Sequence, residues 1–367
     1  ALYGIRSQSW FLDAIEDLPR SVMTKAIVDQ KQGDHGDWSI ENFYYSETPK
    51  LARLLRYRKI VPDLGPNGPR SSSIMHNKFL VLDQKKVWYG TANMSATGLG
   101  RGYNANTVLT VDSSSLARVF AGEFHQMYDD RKFSTGKSTG TGKKLRYRDG
   151  TLVDVYFSPQ DDAVRYGVIP AIDGCRRHME VGMFFLTEPS VVQALVQAEQ
   201  RGCQVRIILD ALGGRHPSSP VETLREAGVE IRIENWGGKM HMKTAAIDGS
   251  TVIIGSMNWT LSGNNRNDEN TTIIKNDDLA EEVQEYFEYL WGSLNFYDDM
   301  EPGEIRDPYA ESLFSINSCF DGMDNDYDGM ADDLDPGCRT ALGQDEPAGI
   351  APPFRYPYEP VDLSPLY

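Results

Sequence analysis

The chain has 367 residues, 40% of them apolar and 25% charged, which is the balance of a folded globular protein and not of a disordered or fibrous one. Its length allows two ordinary domains with a large buried core, and no apolar run reaches the roughly 18 residues that a membrane-spanning helix needs. The formal charge of −16 is concentrated at one end, because residues 301–367 carry 15 acidic and 3 basic side chains while residues 1–300 carry 38 and 34. The nearly balanced body argues against a general electrostatic grip on nucleic acid.

Taken in order, residues 1–7 read as an interior strand and not as a secretory leader. The chain is therefore expected to be a processed form or to lack its beginning. A helix around Phe11–Leu18 and a strand over Val22–Val28 follow. Residues 29–73 mix Gly, Asp, Pro and Ser around a short helix near Leu51–Tyr57, and so long an irregular stretch is usually functional. Strands are expected at Phe79–Leu82, Val87–Trp88 and Thr107–Val111, then an amphipathic helix over Ser115–Tyr128. Residues 132–151, rich in Gly, Ser, Thr and Lys, read as an exposed linker or lid.

Beyond the linker, strands at Val153–Phe157, Glu180–Phe185, Val205–Leu209 and Val229–Ile233 alternate with helices near Ala163–Cys175, Pro189–Arg201 and Pro220–Ala227. A last helix lies near Leu279–Leu290. Such alternation predicts an α/β layered domain. Laid over one another, the halves match Leu2–Ile5 and Val22–Asp29 to Gly182–Phe185 and Val205–Asp210. The first half has no counterpart of Val153–Arg177, so its opening strand and helix are expected to be absent and its sheet incomplete.

Two stretches repeat the spacing His-x-Lys-x4-Asp: His76, Lys78 and Asp83, then His241, Lys243 and Asp248. Each is followed by an apolar run and by Gly-Thr/Ser-x-Asn, as Gly90-Thr91-Ala92-Asn93 and Gly255-Ser256-Met257-Asn258. The whole chain has six histidines, so this recurrence tells against two ordinary strand histidines. On a strand, His at i and Lys at i+2 share a face. Two such pairs facing each other would cage an anion, with Lys78 and Lys243 as ammonium donors, Asn93 and Asn258 as neutral donors, and Thr91 and Ser256 as hydroxyls. One imidazole could attack phosphorus while the other manages the protons. Asp83 and Asp248, at strand ends before turns, read as structural. His35, His125, His178 and His216 have no partners in sequence and read as surface or packing residues.

Both halves, over roughly residues 1–295, resemble the phospholipase D superfamily, whose mark is this duplicated signature. The run Gly255–Thr260 with Asn267-Asp268-Glu269-Asn270 is similar to its bacterial, nuclease-like branch. The resemblance implies two pseudo-twofold-related α-β-α sandwich domains, a first half at 1–131, a linker at 132–151, a second half at 152–297 and an acidic extension at 298–367. It also implies a metal-independent phosphodiesterase working through a phosphohistidine. In the family an acidic residue placed like Glu269, 28 residues after His241, contacts the imidazole. On that basis Glu269 is expected to orient His241 as the general acid and base, and His76 is expected to be the nucleophile. Asn104 or Asn106, also read as substrate-binding, would be the uncharged counterpart.

The tail lies outside the resemblance. Asp324, Asp326, Asp328, Met330 (through its carbonyl), Asp332 and Asp335 fall at positions 1, 3, 5, 7, 9 and 12 of a calcium loop with Gly329 at 6. A structural Ca2+ and a Cys319–Cys338 disulfide are expected there. Cys175 and Cys203 either pair with each other or remain buried thiols, and disulfides would favour an oxidising, secreted or bacterial periplasmic setting.

The leading expectation is a monomeric phospholipase D that visits the membrane surface peripherally and hydrolyses phospholipid head groups, with transfer to alcohols as a further capacity. The alternative is a nuclease of the same superfamily acting on DNA or RNA. A third is a non-catalytic binding relative, which the intact His/Lys pairs oppose.

Overall fold

The computed structural model describes residues 1–2, 14–15, 17–19, 21–29, 59–62, 73–94, 98–99, 104–234, 239–292 and 294. Half of the expected helix at 11–18, the helix near 51–57, the whole calcium loop and the Cys319–Cys338 pair lie outside these residues.

The second half is built on an eight-stranded sheet in the order β10-β9-β8-β11-β12-β13-β7-β6. Its strands are β6 (Lys144–Arg146), β7 (Leu152–Ser158), β8 (His178–Met183), β9 (Gln204–Leu209), β10 (Glu230–Ile233), β11 (Lys243–Ile247), β12 (Thr251–Gly255) and β13 (Glu269–Lys275). β8, β9 and β10 run parallel and the remaining neighbours antiparallel. β11 is buried along its whole length, as a strand covered on both faces must be.

The first half repeats this plan in shorter form. β1 (Lys25–Val28) pairs in parallel with β2 (Lys59–Pro62), and β3 (Phe79–Leu82), β4 (Lys86–Gly90) and β5 (Val108–Asp112) form an antiparallel meander. Leu2 bridges these two pieces, donating its N–H to the Ile27 carbonyl and pairing with Lys78. Residues 1–2 thus occupy the place that β8 holds between β9 and β11. Among the described residues no strand pairs with the outer edge of β5, where β7 stands beside β13 in the other half. β2 falls inside the stretch expected to be irregular. Its Pro62 cannot donate to a ladder, which suits an edge position.

Helix α1 (Ser114–Tyr128) is capped by Ser113, whose side chain accepts from Leu116 N, and buries Leu116, Ala117, Phe120 and Glu123. α2 (Ile169–Gly174) continues a π-helical turn at Val164–Val168, so the helix expected over 163–175 is divided. α3 (Pro189–Gln200) carries Pro at its start, where the missing N–H costs nothing. α4 (Ala211–Arg215), α5 (Val221–Glu226) and α6 (Leu261–Asn265) are single turns. α7 (Asp277–Gly292) buries Leu279, Ala280, Val283, Phe287, Leu290 and Trp291, a stripe at helical spacing.

One core joins the halves. Phe79, Tyr89 and Phe120 of the first half cluster with Phe157, Ala246, Ile254 and Ile274 of the second. Phe120 meets Phe157 edge-on at 5.4 Å. The two sheets are therefore held face to face by apolar burial, which is the largest favourable term available to them. The segment expected as an exposed linker is only partly so: Phe133, Ser134 and Lys137 are buried, and residues 144–146 join the large sheet as β6.

Candidate active site

β3 begins immediately after its His-x-Lys pair and β11 begins at the lysine of the other, so both pairs sit at the start of a central strand where the two halves meet. His76 and His241 are 5% and 7% exposed, Lys78 and Lys243 are 0% and 1%. Each ammonium donates to the carbonyl of the His two residues before it, Lys78 to His76 O and Lys243 to His241 O, both at 2.7 Å. The equal geometry is what a pseudo-twofold axis between the motifs requires.

The axis shows itself again in the backbone. His76 N donates to Asp268 O at 2.9 Å and His241 N to Ala105 O at 3.0 Å. Met75 bridges Asp268 and Met240 bridges Ala105, each in parallel. Each catalytic strand start is thus stitched to the opposite half, just ahead of β13 or β5. Side chains follow the same crossing. The Glu269 carboxylate lies 2.8 Å from His76 Nδ1 through either oxygen, and Asn106 Oδ1 lies 3.1 Å from His241 Nδ1.

This corrects the expected pairing. Glu269 does not orient the His of its own half; it holds His76, 193 residues away, and the amide falls to His241. Asn106 is the structural counterpart of Glu269: Thr91 Oγ1 donates to Asn106 Oδ1 at 2.8 Å as Ser256 Oγ donates to Glu269 Oε2 at 2.7 Å. Asn104 instead matches Asn267. Asn104 Oδ1 accepts from Lys239 N, and Asn267 Oδ1 accepts from Ile74 N.

Thr91 and Ser256 therefore serve first to hold the groups that hold the imidazoles. Asn93 and Asn258 follow β4 and β12 at matching positions, and the side-chain oxygen of each is buried without a hydrogen-bond partner. Asp248 turns its carboxylate onto the backbone N–H groups of Arg176, Arg177 and His178 at 2.8, 2.8 and 3.1 Å, tying the β11–β12 turn to the start of β8. Burial opposes its ionisation, but those three donors outweigh it and hold the carboxyl below its usual range. Asp83 occupies the corresponding turn of the first half, exposed, with φ of +50°.

The electrostatics follow from crowding cations in a dry place. Burial, then Lys78 and Lys243, hold His76 neutral well below the usual imidazole range. Burial, Lys243 and Lys78 do the same to His241. Lys78 falls to about 7 through burial, despite the opposing pull of Glu269 and Asp29. Lys243 is held well below the usual ammonium range, by burial and by Lys78. Burial lifts Glu269 to about 7 even though Lys78, Ser256, Asn267 and Lys243 favour its charged form. An anion placed among these groups would oppose the cationic shifts, because its negative charge favours the charged form of each. A phosphodiester supplies that charge.

Sequence reasoning missed several supporting residues. Asn77 Oδ1 accepts from Asn270 Nδ2 at 2.8 Å across the halves, and Asn267 Nδ2 donates to Glu269 Oε1 at 3.2 Å. Asp29 accepts from Met75 N at 2.6 Å. Phe184 lies against His241, ring centres 5.1 Å apart, with Lys243 Nζ 5.0 Å from its centroid. The run from Asn267 to Asn270 carried a signal in its likeness to a family pattern, Asp29 and Phe184 fell within the matched stretches of the two halves, and Asn77 carried none. Cys175 and Cys203 form a disulfide with Cα atoms 5.9 Å apart. Among the described residues no group of three or more His, Cys, Asp or Glu side chains could hold a metal, and the calcium loop lies outside them.

Two imidazoles, two ammoniums and a charge-deficient pocket define a phosphodiesterase. Residues 4–128 and 168–291 each match the family described as "Cardiolipin synthase, PLD-like domain", and the chain belongs to the phospholipase D superfamily. A mitochondrial cardiolipin hydrolase of Xenopus laevis is 32% identical over 148 residues, which span 39% of this chain and 70% of that protein. A phospholipase D of Rickettsia prowazekii is 29% identical over 165 residues, or 45% of this chain and 80% of that one. The crystal structure of phosphatidylserine synthase from Haemophilus influenzae covers 76% of each chain with a TM-score of 0.54 at 15% identity, a likeness of fold across both halves.

Proposed function

We propose that this phosphodiesterase hydrolyses the head-group bond of phospholipids through a phosphohistidine on His76. The observation that carries the mechanism is the crossed partnership of the two imidazoles. Nδ1 of His76 keeps its proton against Glu269, so the lone pair sits on Nε2. When Nε2 attacks phosphorus the ring becomes cationic, and the carboxylate stabilises that charge. His76 therefore stays the nucleophile, for a reason opposite to the expected one.

His241, held by the neutral Asn106, takes up a proton once the anionic substrate is bound and gives it to the leaving oxygen as the P–O bond breaks. It then accepts a proton from water as the hydroxide oxygen bonds to phosphorus and the P–N bond to His76 breaks, leaving a phosphomonoester. Lys78, Lys243, Asn93 and Asn258 bind the non-bridging oxygens. No catalytic metal enters this scheme.

A lipid substrate is supported by the similarity to a cardiolipin hydrolase and a phospholipase D and by the near-neutral body. Phe184, half-buried beside His241, and Phe185, half-buried against Phe184, add an apolar wall. No helix of the described residues is long and apolar enough to cross a membrane, and the reading is of an enzyme that meets lipid at the surface. Both His/Lys pairs come from one chain, which supports a monomer. The Cys175–Cys203 disulfide supports a secreted or periplasmic setting, and the Asp324–Asp335 spacing a structural Ca2+ apart from the site.

The test offers cardiolipin and phosphatidylcholine vesicles and single-stranded DNA to the full chain, each with and without EDTA. Head-group release insensitive to EDTA is expected. Cleavage of DNA alone would replace the lipid reading by a nuclease. Rapid quenching of His241→Ala with an activated phosphodiester should leave phosphate on the peptide containing His76; phosphate on any other histidine overturns the role given to His76.

A further inference from the structure

A buried ion triad stands directly behind the carboxylate of the site. Lys137, from the segment between the halves, has a fully buried side chain. Its Nζ lies 2.6 Å from Glu123 Oε1 on α1, 2.7 Å from Asp268 Oδ1 just before β13, and 2.8 Å from the Ser158 carbonyl at the end of β7. Gln160 Nε2 donates to the other Glu123 oxygen at 2.9 Å, and Ser134 N donates to Asp268 Oδ1 at 2.8 Å. One ammonium thus joins the first half, the connecting segment and two strands of the second half.

Asp268 is the residue that stitches His76 into place. Its carbonyl accepts from His76 N and its N–H donates to Ile74 O, both at 2.9 Å, and the next residue, Glu269, holds His76 Nδ1. At the equivalent place in the other crossing stands Ala105, packed among Met240, Met242 and Trp291. The ion triad accompanies only the crossing that carries a carboxylate. Burying three charges is a poor way to gain stability, since an apolar replacement of the same shape is often neutral or better. The arrangement needs another reason.

We propose that Lys137 is a positioning residue for catalysis, which through Asp268 fixes the backbone that carries Glu269 and sets the charge behind the Glu269–His76 pair. Glu269 faces His76, Lys78, Lys243, Ser256 and Asn267 on the site side, with Asp268 at its back. Behind Asp268 come Lys137 and Glu123, with Asp161 close to Glu123. Burial alone would lower Lys137, but Asp268 and Glu123 more than compensate and keep it cationic. Burial lifts the Glu123 carboxyl to about 7 and raises that of Asp268, so the triad carries one net negative charge once both carboxylates are ionised. Removing Lys137 deepens that charge and makes Glu269 harder to ionise; neutralising Asp268 cancels it and makes Glu269 easier to ionise.

The experiment follows kcat/KM against pH with bis(p-nitrophenyl) phosphate, using the full chain. Lys137→Met should move the acid limb up by roughly half to one pH unit and Asp268→Asn should move it down by a similar amount. The double variant Lys137→Met/Glu123→Gln restores the net charge and should return the limb toward the native position. Asp268→Asn keeps the shape of the side chain, so it reports even where Lys137→Met fails to fold. Shifts of the same sign, or lost activity with an unmoved limb, would reduce the triad to a structural brace and overturn the inference. It rests on reading His76–Glu269 as the catalytic pair. His76→Ala in the same assay separates the two: activity surviving there defeats that reading, whereas an inactive His76→Ala with unmoved limbs defeats only the role of Lys137.

Discussion

Glu269 and Asn106 occupy equivalent places and differ by one charge, and that difference makes an unequal pair of two nearly superimposable motifs. In the free enzyme Glu269 and Lys78 both sit at about 7. The productive state has Glu269 ionised and Lys78 protonated. kcat/KM, which reports the free enzyme, should therefore trace a narrow bell centred near pH 7, with limbs belonging to the coupled pair. The sign is fixed by the groups: as pH falls Glu269 takes a proton and releases His76, and as pH rises Lys78 loses the charge that binds phosphate. Glu269→Gln should cost about 10²- to 10⁴-fold in kcat and abolish the acid limb. Asn106→Ala, which removes a neutral acceptor together with the amide's donation to Gly98 O, should cost about tenfold. The His, Lys and Asn positions were legible because they recur at fixed spacing. The crossing of partners was not, since contacts 193 and 135 residues long leave no trace within either half. The counterpart of Glu269 was left open between Asn104 and Asn106 by a shift of two: Thr91 is 15 residues from Asn106, and Ser256 is 13 from Glu269.

At the scale of elements, β4 and β12 end at glycines for a reason that lies on the neighbouring strand. A Cβ on Gly255 would meet the Asn270 carbonyl at 2.1 Å, and one on Gly90 would meet the Thr107 carbonyl at 2.3 Å. These close approaches let the following Ser256 and Thr91 accept from Asn270 N and Thr107 N, both at 3.0 Å, while gripping Glu269 and Asn106. Glycine in the Gly-Thr/Ser-x-Asn signature is thus a spacing device for the imidazole's partner. Gly255→Ala should destabilise by about 1–3 kcal/mol through overpacking and lower kcat by about tenfold or more as Glu269 shifts from His76. Gly140→Ala is the control: it has φ of +76° and open space around the added methyl, so it should cost about 1 kcal/mol and leave kcat unchanged. Thermal melts and steady-state rates on both variants decide the matter. Strand and helix periods were readable here, and β6 was not, because the Lys-Leu-Arg alternation of Lys144–Arg146 is only three residues long and the strand takes its place only by pairing with β7.

At the scale of the molecule, two halves are fastened by a shared aromatic core and by crossed stitches, and the second half carries its own covalent tie. The Cys175–Cys203 bond joins the end of α2 to the start of β9 and closes 28 residues. Chain-entropy reasoning assigns such a loop about 3 kcal/mol. The double variant Cys175→Ser/Cys203→Ser should melt several degrees lower by differential scanning fluorimetry and keep its kcat, because the bond lies at the opposite end of β8 from the catalytic residues. Its loss without any fall in melting temperature would mean that the fold alone supplies the closure.

The assembled site makes a further demand, which concerns what the protein does when an anion arrives. Four cation-forming groups share one buried place; burial holds each below its ordinary range, and neighbouring cations push His76, His241 and Lys243 lower still. An anion bound among them must draw protons in, since it stabilises the charged forms. Linkage then fixes the direction: affinity rises as pH falls through the lowered values, by up to about tenfold per pH unit for each group that titrates. Sulfate is the probe, because its own charge is constant between pH 6 and 9. Saturating sulfate should raise the melting temperature more at pH 6 than at pH 8.5, and calorimetry in buffers of different ionisation enthalpy should register proton uptake. Lys78→Met should remove most of the gain at both values. A sulfate effect equal at the two pH values, or one that survives Lys78→Met, would place the anion outside the two motifs and leave their buried ammoniums without a ligand to explain them.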